Sequence, residues 1–118
     1  MNAAALHPSV AALKALGRPL TDDDPDLIAT AHPLTDELPA NPNAAEVEAL
    51  LGLMPANGDT GHGLNWSILH CIEASPDWPL WDLIAEPDHE WHTILRTRLK
   101  NGGYTPPKAS FLKRLFGG

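Results

Sequence analysis

The chain has 118 residues, 43% of them hydrophobic and 19% charged, with a formal net charge of −7. That length and balance describe one ordinary globular domain, residues 1–118, large enough for a core without staples. One cysteine excludes an internal disulfide. No run approaches the ~18 apolar residues of a membrane-spanning helix.

The charge is unevenly placed. Residues 1–90 hold all 15 acids against two bases, Lys14 and Arg18, a net −13. Residues 91–118 hold six bases and no acid. An acidic body repels phosphates, which argues against direct nucleic-acid binding, and it steers basic partners inward. Met1 to Leu6 lacks the basic segment and long apolar run of a secretory signal, so the cytoplasm is the expected compartment.

Pro8 reads as the first residue of a short helix with Leu6, Val10, Leu13 and Leu16 on one stripe, ended by Gly17. Two similar phrases follow, Pro19-Leu20-Thr21-Asp22 and Pro33-Leu34-Thr35-Asp36. Each offers Thr as an N-cap, with acids in the first turn. For the first of them Asp24 is an alternative cap, with Pro25 at the first helical position. Leu27, Ile28 and Ala31 then form a small apolar face. Asn43 caps a helix through about Met54, with Val47, Leu50, Leu51 and Met54 on one side and Glu46 and Glu48 pointing elsewhere.

Residues 55–63, Pro-Ala-Asn-Gly-Asp-Thr-Gly-His-Gly, read as a loop. The helix from Leu64 to Ala74 is the most apolar, with a stripe of Leu64, Ile68, Leu69, Cys71 and Ile72. Asn65 falls inside that stripe and needs a hydrogen-bond partner. Trp66, His70 and Glu73 share another face. A short helix from Trp78 to Ala85 is started by Pro79. Pro87 and Asp88 open the next, to about Lys100, with Trp91, Ile94, Leu95 and Leu99 inward and His89, Arg96 and Lys100 outward. Asn101-Gly102-Gly103 stops it. Pro106-Pro107 starts a last helix with Phe111, Leu112, Leu115 and Phe116 on one side. No useful segment alternates apolar and polar residues. The expected fold is all-α: a compact bundle of six or seven short helices, stacked as HEAT-like antiparallel pairs or as an irregular orthogonal bundle.

Catalytic and cofactor patterns are weak, and no cofactor is expected. His89-Glu90-Trp91-His92 has the wrong spacing for a metalloprotease helix, and its two histidines do not converge on one face. Gly58, Gly61 and Gly63 lack the Lys and the preceding strand of a phosphate loop. Asp59 and His62 form an acid/base pair only if the loop holds them. Cys71, a candidate nucleophile beside His70 or His62, sits on the apolar stripe, where a thiol is an inert small hydrophobe. Trp66, Trp78, Trp81 and Trp91 lie within 26 residues. Trp91 reads as core. Trp66, projecting beside His70 and Glu73, has the character of a binding anchor.

The stretch from Gly63 to Pro79, GLNWSILHCIEASPDWP, resembles small helical bacterial immunity proteins encoded beside polymorphic toxins, over about residues 61–100. The resemblance implies a cytoplasmic protein that binds and neutralises one toxin domain, and it carries over no site residues. The expected function is therefore a non-enzymatic inhibitor of a cognate, basic-surfaced toxin. Its contacts would come from Asp22, Asp23, Asp24, Asp26, Glu46, Glu48, Asp59 and Glu73, with Trp66 as anchor and His70 beside it. Two other readings stand next to it: a helical adaptor docking through residues 107–116, and a metal-dependent enzyme using the histidines and glutamates.

Overall fold

The computed structural model describes residues 5–106 of the chain. Among them are five α-helices and one 3-10 turn, and no strand. The helices are α1 (Pro8–Ala15), α2 (Pro25–Thr35), α3 (Ala44–Leu51), α4 (Leu64–Glu73) and α5 (Glu90–Asn101), with the 3-10 turn at Trp81–Ile84. The all-α expectation holds. The helix expected from Pro107 onward lies outside the described residues.

Proline, asparagine and aspartate set most helix starts. Pro8 and Pro25 occupy first helical positions, where a missing N–H costs nothing. Asp24, not Thr21, caps α2, its carboxylate accepting from the Leu27 amide at 3.3 Å. The second Pro-Leu-Thr-Asp phrase does not begin a helix. α2 runs through Pro33, and the buried Thr35 closes it by donating its hydroxyl to the His32 carbonyl at 2.7 Å. Pro33 faces solvent two residues before the helix ends, so little hydrogen-bonded ladder lies downstream of it to be broken.

The helix expected over 78–85 shrinks to Trp81–Ile84, because Leu80 (φ −117°, ψ 77°) is not helical. α5 begins later than the expected opening at Pro87–Asp88: His89 is its cap, with Nδ1 accepting from the His92 amide at 3.3 Å. The stop at Asn101–Gly103 is real, with Gly102 as C-cap and Gly103 at φ 91°.

One apolar cluster joins every helix, including Val10, Leu13, Leu27, Val47, Leu50, Ile68, Leu69, Ile72, Ile84, Trp91 and Leu95. α1 packs on α2 and α3, α4 on α2 and α3, and α5 on the 3-10 turn. α1 and α3 run side by side in the same direction. Their starts are tied by the His7 amide, which donates to the Glu46 carboxylate, and their ends by the Leu20 amide, which donates to the Leu53 carbonyl at 2.9 Å. This pair is not an antiparallel one.

Candidate functional site

The loop before α4 is held in place by its own polar groups. The Asp59 carboxylate accepts from the amides of Asp22 (2.9 Å) and Gly61 (2.8 Å). The Asp22 carboxylate in turn accepts from the His62 amide. Asp59 is held below its usual pKa, chiefly by the Gly61 amide with help from Asp22, against a smaller opposing effect of burial. A carboxylate oxygen that accepts from two amides anchors the loop, and the His62 charge adds to the lowering of the Asp59 pKa. Gly61 adopts φ 54°, and a Cβ there would lie 2.9 Å from the Leu20 carbonyl oxygen. The loop therefore lies directly on the Leu20 backbone, and glycine is what permits the approach.

Asn65 is the reason that backbone stays put. Fully buried on α4, it donates to the carbonyls of Leu20 (3.0 Å) and Asp59 (2.9 Å). The buried Trp91 indole donates to the same Asp59 carbonyl at 2.9 Å. Trp66, 39% exposed, meets the Trp91 ring edge-on at a centroid distance of 4.9 Å. An unbroken series of contacts thus connects Trp66 through Trp91 and Asp59 to Asp22.

The ten sequence-predicted contact residues divide sharply. Asp22, Asp23 and Asp26 are exposed around the start of α2, and Asp22 is bonded to the loop before α4. Asp23 receives the Thr21 hydroxyl at 2.6 Å. Asp24 is half-buried, capping α2 and pairing with Arg18 at 3.0 Å. Glu46 does not belong to a surface at all. It is 6% exposed, forms a capping box with Asn43, and also accepts from His7. Helical geometry turned it away from the apolar stripe of α3, but α1 covers it. Glu48 is exposed and borders two depressions, one against α1 and one against α5. Glu73 is bound by Arg98 through two hydrogen bonds of 2.6 and 2.8 Å, and His70 is exposed one turn before it. Trp66 and the acids at the start of α2 are thus exposed, while Glu46 belongs to the interior.

The histidines behave differently from their expected arrangement. The His89 and His92 rings do converge, stacked at 3.9 Å with planes 12° apart. His92 is 8% exposed and its Nδ1 is buried without a hydrogen-bond partner. Burial first, then the neighbouring His89 and Arg96, push its pKa down to about 4. Sequence reasoning missed this pair, since it placed His89 in solvent. The signal was the pairing of a cap position with the residue three further on. No group of three His, Cys, Asp or Glu among the described residues has metal-binding geometry. Cys71 is buried and donates to the Pro39 carbonyl at 3.4 Å. Burial, together with the Glu46 charge, pushes its thiol up to about 11, far from a thiolate nucleophile at neutral pH.

Among the described residues no helix is long and apolar enough to cross a membrane. No protein-family model, curated protein or solved structure matches the chain.

Proposed function

We propose that this protein is a non-catalytic inhibitor of the immunity type, which binds a cognate bacterial toxin with a basic surface and occludes its active site. The observation that carries the reading is the exposed Trp66, braced edge-on by the buried Trp91 and linked through Trp91 and Asp59 to Asp22 at the acidic start of α2. A half-exposed tryptophan on a rigid support loses little entropy on binding and buries a large apolar area. Asp22, Asp23 and Asp26 supply the field that draws a basic partner to it. A reactive group is not needed for this work, and the loop that could have carried one is committed to holding the surface in shape. The protein would act in the cytoplasm.

Co-purification with the product of the adjacent gene, at low and high salt, tests this reading. The expected result is a complex weakened by salt and weakened by Trp66→Ala by roughly 2 kcal/mol or more, as for an interface anchor. Absence of a complex at both salt concentrations would overturn it.

A further inference from the structure

The cap of α5 and the residue three further on are both histidines, and their rings stack at 3.9 Å with planes 12° apart. His89 Nδ1 accepts the His92 amide at 3.3 Å, so the neutral ring carries its proton on Nε2. A helix cap and two titratable rings in face contact are thus one feature.

Each ring resists a second proton for a geometric reason. A charged His89 needs hydrogen on Nδ1, the atom that caps the helix, so the cap bond is lost. A charged His92 carries hydrogen on both nitrogens, whichever tautomer it held before, and its buried Nδ1 has no partner to receive that bond. Two charged rings would also face each other at the positive end of the α5 dipole. Arg96 on α5 adds to the repulsion. Against it, Glu86 ahead of the helix and a hydrogen bond with the Met54 backbone favour charge on His89. Glu48 from α3 borders both rings and the 3-10 turn contributes Leu83, while Asp88 and Glu90 flank the cap along the chain. All four of these acids are exposed, so water screens them.

The closed turn holds more than α5. The Glu90 amide donates to the Ala56 carbonyl at 2.8 Å, and the Trp91 indole to the Asp59 carbonyl at 2.9 Å. Both acceptors belong to the 55–63 loop, and Trp91 is the ring that supports Trp66. The other helices hold one another without α5: α1 packs on α2 and α3, and α4 packs on the same two.

We propose that the His89–His92 pair is an acid-sensitive latch. Proton uptake by the stacked rings opens the first turn of α5 and frees the 55–63 loop and Trp66 from it, while α1 to α4 stay folded. The latch does not depend on the inhibitor reading.

The test is NMR of the full chain between pH 7.5 and 4.5, following the two histidine rings and hydrogen-exchange protection corrected for intrinsic exchange. Protection of the Glu90 amide and the Trp91 indole should fall steeply, while Val47 in α3 and Ile68 in α4 keep theirs. With His92 held down to about 4 against its ordinary 6.5, its proton alone accounts for a fall of about eightyfold at pH 4.5. Carboxylates titrate in the same range, so two variants assign the effect. His92→Phe keeps an aromatic ring without an ionisable nitrogen and should remove most of the fall. His89→Asn keeps a capping acceptor without a titratable ring and should make the fall shallower. If His92→Phe does not fold, His89→Asn decides. An equal loss of protection at Val47 and Ile68, rings that take up protons with the first turn still protected, or an unchanged fall in the variants would overturn the proposal.

Discussion

The starts of α2 and α3 both carry acids in the first turn, yet they do opposite work. At α3, Glu46 is buried, closes a capping box with Asn43 and receives the amide of His7 from the start of α1. At α2, Asp24 caps the helix, while Asp22, Asp23 and Asp26 face water. Like charge around the first turn of a helix thus gives an internal tie in one place and an exposed electrostatic surface in the other. What separates them is whether another helix covers the turn. Net charge alone cannot locate an interface, because a share of it holds the fold together.

Stability measurements can break this comparison. Glu46→Ala strands the half-buried amides of Asn43 and His7, and each orphaned donor costs about 1–3 kcal/mol. An overall loss of about 3 kcal/mol in urea unfolding is expected. A loss below about 0.5 kcal/mol would show that Glu46 is no tie.

The start of α5 extends the comparison to histidine. The folded-state pKa of His92, about 4, lies below its ordinary 6.5, so the folded protein takes up fewer protons than the unfolded chain. The contribution of His92 is fully present above pH 6.5 and is lost as pH falls from 6.5 to about 4. It amounts to about 2–3 kcal/mol across that window. His89 is shifted in the same direction. Urea unfolding between pH 7.5 and 4 should show the decline, and His92→Phe should flatten it. An equally steep decline in the variant would assign it to other groups.

Smaller effects sharpen the α2 side. Asp24→Ala removes an N-cap and an ion pair and should cost about 1 kcal/mol in thermal unfolding. Asp26→Asn should change stability by less than about 0.5 kcal/mol, because its carboxylate is exposed. Its effect belongs to association instead: a slower on-rate with the toxin partner, and a weaker salt dependence, in stopped-flow mixing. A large stability loss from Asp26→Asn would place α2's surface acids with Glu46.

Much of the local structure was legible in the sequence. The Asn43 cap, the Asp24-Pro25 start, the apolar stripe of α4 and the Asn101–Gly103 stop are all signals within one or two turns of chain, and all are present. So was the need of Asn65 for a partner, and the core position of Trp91. The second Pro-Leu-Thr-Asp phrase misled because a proline late on the exposed side of a helix resembles a proline that begins one.

The all-α class, most helix positions and the acidic imbalance were therefore determined by the sequence alone, since helical periodicity and capping act over a few residues. Which acids are free was decided only by the tertiary structure. Glu46 meets His7 across 39 positions, Asp22 meets Asp59 across 37, and Asn65 reaches Leu20 across 45. The His89–His92 stack is local in sequence, but its burial comes from packing beside the end of α3 and the 3-10 turn. A side chain's charge is written in the chain, whereas the dielectric and the partners around it exist only once distant segments have met.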